Sequence, residues 1–235
     1  MFRLLFALLL TLLPMRAFAL DPAPLDGLLR AHVSSGKVDY AALRTKQAEL
    51  DAYLASVATA SGTLPMGFYI NAYNALVLDA LLAEPSLPAN VTDLKGFFDG
   101  KKYKVAGKEV TLNDLEGSIR TQYKDPRVHF AFNCGAKSCP PLPARAFPED
   151  PAALAKMLDE LTHAFLNGSG VKVDDGKKEV QVTRLMEWYA GDFGDVGAYL
   201  RANVTDPTKA ATLKAALDGG YTITFQAYDW RPNAK

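Results

Sequence analysis

Both cysteines of the chain lie in the segment HFAFNCGAKSCPP, residues 129–141, which also begins with one of its three histidines. Five residue steps separate Cys134 from Cys139, which is about 17 Å in an extended chain. A disulfide requires Cα atoms about 5.5 Å apart, so a bridge needs this segment to turn, and Gly135 permits the turn. The spacing leaves two hypotheses open: a small disulfide-closed loop, or a reactive thiol.

A reactive thiol at Cys134 would be the nucleophile of a hydrolase or acyltransferase acting on peptide or amide bonds. His129 would be the base that forms the thiolate, and Glu116 would orient its imidazole. Asn133 or the backbone amides after Gly135 would stabilise the oxyanion. One pattern opposes direct contact: RVHFAF predicts a strand, and on a strand His129 and Cys134 face opposite sides.

Further polar residues are candidates for binding rather than catalysis. Asn71 and Asn74 lie three apart in an apolar helical stretch and share one face, which indicates that they brace the core. Arg127 would hold a substrate carboxylate or pair with an acidic neighbour. Asn133 and Cys139 complete the candidate binding set. The cysteine spacing matches no four-ligand zinc pattern, so we predict neither a metal nor a cofactor.

Helical and strand patterns occur in runs rather than in strict alternation, which predicts the α+β class. We expect one globular domain with helices packed on a small, mostly antiparallel sheet with hairpins. Helices are predicted at residues 38–59, 65–83, 151–167 and 207–218, with shorter ones after Asn113 and within TRLMEWYAGDFG (183–194). Hairpins are predicted at 103–110 and 171–182, and strands at RVHFAF (127–132) and YTITFQAY (221–228). Asn113 and Glu116 resemble a capping box at the start of their helix.

The first residues, MFRLLFALLLTLLPMRAFAL, have the pattern of a secretory signal. Arg3 precedes a short apolar run, and Ala17-Phe18-Ala19 fits a cleavage site, which predicts a signal peptide at 1–19 and a single domain at 20–235. We therefore expect a periplasmic or secreted protein with no transmembrane segment after cleavage. Removing residues 1–19 leaves a net charge of about −2, which argues against nucleic acid as a partner. The partner is expected to be a small molecule or an envelope peptide.

Four blocks of the sequence resemble, in order and spacing, the family named domain of unknown function 547. The blocks are FYINAYNALVL (68–78), VTLNDLEGSIR (110–120), DPRVHFAFNCGAKSCPPL (125–142) and VTRLMEWYAGDFG (182–194), within a family-like core of about 65–195. The resemblance implies that the family's recurring residues cluster in space; these are Asn71, Asn74, Glu116, Arg127, His129, Asn133, Cys134 and Cys139. Gly117 departs from the family pattern, which commonly has histidine there.

The family name assigns no activity, so function is predicted from the residues alone. Because an exported cysteine pair tends to oxidise, we favour a binding or structural module with a Cys134–Cys139 disulfide and a polar cluster. The alternative is the cysteine-dependent hydrolase or acyltransferase, whose residue types are present. A thiol-redox role is a third hypothesis, although the spacing differs from the CxxC of thioredoxin-like proteins.

Overall fold

A computed structural model describes residues 20–235, so the predicted signal peptide at residues 1–19 lies outside the described residues. The α-helices are α1 (Ala23–His32), α2 (Tyr40–Arg44), α3 (Gln47–Thr59), α4 (Met66–Leu82), α5 (Leu112–Tyr123), α6 (Pro151–Asn167), α7 (Leu185–Trp188), α8 (Ala190–Phe193), α9 (Val196–Asn203) and α10 (Pro207–Asp218). The strands are β1 (Val33–Ser34), β2 (Lys37–Val38), β3 (Tyr103–Val105), β4 (Lys108–Val110), β5 (Val171–Asp174), β6 (Glu179–Val182) and β7 (Thr222–Phe225). Short 3₁₀ turns occupy Val91–Asp93 and Pro126–Phe130. The predicted α+β class is confirmed.

Helix α4 lies at the centre of the core, and most of its side chains are buried. Its sequence is apolar on nearly every face, as expected of a helix that other elements surround. Helices α3, α5 and α6 all pack against it. Two buried amides, Asn71 and Asn74, interrupt this apolar surface on one face. Both therefore need hydrogen-bond partners: Asn74 finds them in the segment that contains both cysteines, and Asn71 finds them at the backbone of Phe147.

The strands form small sheets in which antiparallel pairs predominate, as predicted. Strands β1 and β2 pair with each other, and β3 and β4 form the expected hairpin with Tyr103 opposite Val110. Strands β5 and β6 form the second predicted hairpin, and β7 adds to β6 in parallel. A parallel neighbour needs a long crossover, which here is the chain from α7 to α10. Within residues 20–235 the strands are thus divided among three small sheets rather than gathered in one.

The prediction of a strand at RVHFAF was wrong, because this segment contains the 3₁₀ turn Pro126–Phe130. Asp125 precedes the turn and accepts a hydrogen bond from the backbone N–H of Arg127, while Pro126 fixes a helical φ at the first position. Val128 and Phe130 are buried. Their apolar character thus reflects burial and not an extended backbone, so the strand-parity objection to a contact between His129 and Cys134 no longer applies.

Three predicted helices also differ from the structure. The short helix expected within TRLMEWYAGDFG is divided into α7 and α8. The expected helix at 38–59 is split into α2 and α3 by a turn at Thr45–Lys46. Helix α5 begins two residues earlier than expected, because Thr111 and Asp114, not Asn113 and Glu116, form the capping box. Glu116 therefore has no role in capping, and its carboxyl group is free to interact with other parts of the protein.

The C-terminal segment, residues 226–235, returns across the cysteine-bearing region. The backbone N–H of Asn233 donates to the carbonyl of Gly135, and that of Lys137 donates to the carbonyl of Arg231. The Tyr40 hydroxyl donates to the Asn233 side chain at 2.7 Å, which joins this segment to helix α2. Tyr228 and Trp230 are thereby held against the site. Among the described residues, no helix combines the length and apolar character needed to cross a membrane.

Candidate functional site

The loop that carries both cysteines, residues 131–141 and hereafter the site loop, is held by two buried asparagines. The Asn74 side chain donates to the carbonyl of Ala131 and accepts from the N–H of Asn133, both at 2.9 Å. The Asn133 side chain in turn donates to the carbonyl of Pro140 and accepts from the N–H of Gly135. Because these bonds hold both ends of the loop, Asn74 and Asn133 position the cysteines, and their predicted role in ligand binding stays a prediction.

Gly135 permits the tight turn that brings the cysteines together. Its φ is +81°, in the left-handed region that favours glycine. A Cβ atom built there would lie 2.6 Å from Cδ1 of Leu81 on α4. A larger residue would therefore push the site loop away from the central helix.

Cys134 and Cys139 form a disulfide, as predicted, with Cα atoms 6.2 Å apart. The Tyr228 hydroxyl lies 3.2 Å from Sγ of Cys134 and 3.1 Å from Sγ of Cys139. The backbone N–H of Cys134 points to Sγ of Cys139 at 2.9 Å. With both sulfurs bridged, neither residue carries the thiolate that a nucleophile requires.

His129 is buried and pairs with Asp192 on helix α8, not with Glu116. Its Nε2 lies 2.8 Å from Oδ2 of Asp192, and that oxygen also accepts from Nε of Arg120 at 2.6 Å. The imidazole stacks on the Tyr189 ring with centroids 4.2 Å apart. The carboxylate that hydrogen-bonds the imidazole in the structure thus comes from α8, 63 residues further along the chain, and the orienting role of Glu116 stays a prediction.

The protonation of this cluster follows from burial. Desolvation lowers the pKa of His129 to about 4, and it outweighs the opposing effect of its hydrogen bond to Asp192. Arg120 holds the pKa of the Asp192 carboxyl below its usual value. The imidazole is therefore neutral at pH 7 with its hydrogen on Nε2, which donates to the Asp192 carboxylate. A neutral imidazole does not supply the positive charge that would lower the pKa of a nearby thiol.

Glu116 lies among tyrosines. Burial raises the pKa of its carboxyl group, while hydrogen bonds from Tyr189 and Tyr73 and the positive charge of Arg120 act in the opposite direction. The carboxyl group thus lies in an apolar setting in which hydroxyl groups are its nearest polar partners.

These groups meet in one pocket with a volume of about 220 Å³. Most of its wall is aromatic or aliphatic, and its side chains also include tyrosine hydroxyls, two indole N–H groups, one carboxyl group, one imidazole, one amide and the disulfide. The lining residues are Tyr73, Phe98, Asn113, Glu116, His129, Phe132, Cys134, Cys139, Pro140, Leu185, Trp188, Tyr189, Tyr228 and Trp230. Four of the predicted site residues, Glu116, His129, Cys134 and Cys139, therefore come together here.

The other predicted site residues do not line this pocket. Asn71 exchanges two hydrogen bonds of 2.8 Å with the backbone of Phe147, which fixes the chain before α6. Arg127 pairs with Asp125 at 2.6 Å and with Asp159 at 2.8 Å. Both residues therefore connect elements of the fold, as Asn74 and Asn133 do, and the proposed substrate contact of Arg127 stays a prediction.

Sequence reasoning missed the aromatic wall and Asp192. Trp188, Tyr189 and Asp192 lie within TRLMEWYAGDFG, and Tyr228 and Trp230 lie in YDWRPN. Their ring-rich composition was the available signal, since aromatic residues that remain partly exposed are typical of binding surfaces. What the sequence could not provide was their distance from the cysteines in space.

Comparison with known families matches residues 60–166 to the family described as "Protein of unknown function, DUF547". That part of the chain resembles DUF547. No curated protein and no solved structure matches the chain. The DUF547 segment contains the disulfide, Glu116 and His129, whereas Trp188, Tyr228 and Trp230 follow it in the sequence. The pocket is thus built jointly by the DUF547 segment and the chain after residue 166, and the family description assigns it no activity.

Proposed function

We propose that this protein is a binding module for a compact organic cation, such as a quaternary ammonium compound. The observation that carries the proposal is the pocket itself, in which aromatic rings surround a cavity with a carboxyl group at Glu116. Aromatic faces attract cations through their quadrupole, most strongly where water is excluded.

The aromatic rings of the pocket wall lie close enough together to surround a small cation. The ring centroids of Trp188 and Trp230 are 5.7 Å apart, and Tyr228 lies 4.8 Å from the first and 4.5 Å from the second. Phe98 extends the same group, with its centroid 6.2 Å from that of Trp230. Trp188 is 45% exposed, the one large hydrophobic side chain so exposed among the described residues. A partly exposed indole in the pocket wall is accessible to an incoming ligand.

Charge favours a positive ligand over a negative one. Arg120 is paired with Asp192, and His129 is neutral, so Glu116 leaves the surroundings with one net negative charge when ionised. No lysine or arginine is among the lining residues in the described part of the chain. A bound anion would thus meet Glu116 without a compensating charge, whereas a cation would be paired.

The size of the cavity limits the ligand. Pockets for drug-sized ligands are typically about 300–1,000 Å³, and this one is about 220 Å³. A ligand of about ten non-hydrogen atoms, or the end group of a longer molecule, fits such a volume.

A pair of probes of equal shape tests the proposal. Choline and 3,3-dimethyl-1-butanol differ in the positive charge but not in outline, and binding can be followed by the fluorescence of the two tryptophans or by calorimetry. We expect choline to bind at least about tenfold more tightly, and Glu116→Gln to remove most of that preference. Glu109→Gln, at an exposed carboxylate on β4, is the matched control and should leave it intact. Equal affinities for the two probes, or no binding of either at millimolar concentration, would overturn the proposal.

The dependence on pH provides a second readout. Burial raises the pKa of Glu116 in the free protein, whereas a bound cation favours the ionised carboxylate and lowers that pKa. Cation binding should therefore release protons and tighten as pH rises, and this trend should be absent in Glu116→Gln.

The cysteine-dependent hydrolase stays a prediction that concerns the reduced protein only. In the bridged form Cys134 has no free thiol, and no sulfur is available to attack a carbonyl.

We also propose that the protein acts in the periplasm or outside the cell. The sequence pattern at residues 1–19 and the bridged cysteine pair support this location. Cell fractionation together with N-terminal sequencing of the mature protein tests it, with Leu20 expected as the first residue.

A further inference from the structure

The disulfide of the site loop lies at the edge of the core and lines the pocket. Cys134 and Cys139 both contribute to the pocket wall, beside Pro140 and Tyr228. Cys134 is half-buried, while Cys139 is 6% exposed. A small molecule in the pocket therefore meets the bridge directly, and Cys134 is the more accessible sulfur-bearing residue of the two.

The two sulfurs differ in their hydrogen-bond donors. Sγ of Cys139 is the acceptor for the backbone N–H of Cys134 at 2.9 Å and for the Tyr228 hydroxyl at 3.1 Å. Among residues 20–235, Sγ of Cys134 has only the same Tyr228 hydroxyl as a donor, at 3.2 Å. Donors of this kind stabilise a thiolate much more than a neutral sulfur, so they favour Cys139 as the sulfur that leaves with the negative charge.

From this asymmetry we infer that the bridge is a reactive centre for thiol–disulfide exchange with small thiols that enter the pocket. This activity goes beyond cation binding and does not depend on it.

The exchange proceeds in two balanced steps. An entering thiolate attacks Sγ of Cys134, the bond to Cys139 breaks, and its electron pair leaves with Cys139 as a thiolate held by Tyr228 and the loop N–H. A second small thiol, as its thiolate, then attacks the outer sulfur of the mixed disulfide on Cys134. The products are the small-molecule disulfide and the dithiol protein, whose two protons come from the two thiols consumed.

Tyr228 is the residue that this mechanism uses most specifically. Tyr228→Phe keeps the ring in the aromatic wall but removes the hydroxyl from both sulfurs. We expect reduction by 2-mercaptoethanol to slow by about tenfold or more in this variant, and the pKa of the Cys139 thiol in the reduced protein to rise. The Tyr221→Phe variant is the matched control. Its exposed hydroxyl donates to Asp175 and contacts neither sulfur of the disulfide.

The experiment measures free thiols released from the native, full chain against time, with 2-mercaptoethanol and with glutathione. Each rate is divided by the rate at which the same thiol reduces an unstructured peptide disulfide. We expect the normalised rate to be higher for the smaller thiol, because the pocket holds about 220 Å³. Alkylation of the reduced protein across pH then gives the thiol pKa, which a merely structural role of Tyr228 would leave unchanged.

Two results would overturn the inference. Reduction that occurs only as fast as global unfolding would make the bridge a structural one, and a Tyr228→Phe variant with unchanged rate and unchanged thiol pKa would remove the proposed leaving-group role. Neither result affects cation binding, which the choline comparison measures on the oxidised protein. Equally, a failure of choline to bind leaves the exchange measurement interpretable.

Discussion

Acidification should destabilise this protein through one buried residue, His129. Its side chain is 1% exposed, and burial lowers its pKa from 6.5 to about 4 in the folded protein. In the unfolded chain the imidazole regains the ordinary value. Between these two pKa values the unfolded state binds more protons than the folded state, so stability falls as pH decreases from about 7 towards 4.

The size of the effect follows from the same two values. Each pKa unit corresponds to about 1.36 kcal/mol. At pH 5 the unfolded imidazole is almost fully protonated and the folded one is mostly neutral, which gives a loss of about 2 kcal/mol relative to pH 7.5. At pH 4 the loss reaches about 3 kcal/mol. The raised pKa of Glu116 acts with the opposite sign, because there the folded state binds the extra proton.

Urea unfolding at pH 7.5, 6 and 5, followed by circular dichroism, measures the effect in the wild type and in His129→Gln. The variant loses the titrating group and is expected to be less stable at every pH, since the stacking on Tyr189 is altered. The decisive quantity is the difference between pH 7.5 and pH 5, which should be smaller in the variant by about 2 kcal/mol. Glu116 and the other histidines are common to both proteins and cancel. Equal differences in the two proteins would refute the assignment of the acid sensitivity to His129.

Three further variants have defined outcomes in thermal or urea unfolding. Gly117→Ala should stabilise helix α5 by about 0.5–1 kcal/mol, because a Cβ there meets no atom within 4 Å; destabilisation would mean that the open space is needed. Asn74→Ala should cost about 3 kcal/mol, since a carbonyl and an N–H of the site loop lose their buried partner, and a cost under about 1 kcal/mol would contradict that role. Replacing Cys134 and Cys139 together by serine should cost about 2 kcal/mol, as expected for so short a closed loop, and a near-total loss of folding would show that the bridge does more than restrain the unfolded chain.

The fold was largely predictable because its signals are local. The apolar run that forms α4, the Asp150-Pro151 start of α6 and the period-2 valines of β5 and β6 each depend on residues within a few positions of one another. The strand prediction for RVHFAF was wrong for a physical reason. β-branched and aromatic residues are common in buried segments as well as in strands, and here Asp125 and Pro126 start a 3₁₀ turn.

The candidate site was predictable in its residue types but not in its pairing. Glu116, His129 and the two cysteines do share a pocket, as the residue set indicated. The partner of His129 is Asp192, however, and the hydroxyl that contacts the disulfide belongs to Tyr228, 94 residues after Cys134. Such pairings depend on how α8 and the C-terminal segment pack against the rest of the chain, and no periodicity in one sequence contains that information.

The hydrogen bond between Tyr40 and Asn233 joins residues 193 positions apart. Closing a loop of that length without other contacts costs about 5 kcal/mol in chain entropy. The rest of the molecule must therefore be largely assembled before the C-terminal segment can dock, because earlier contacts shorten the effective loop. Since Tyr228 and Trp230 arrive with that segment, binding competence should return later in refolding than helical structure does, and pocket completion becomes a reporter of the final folding step.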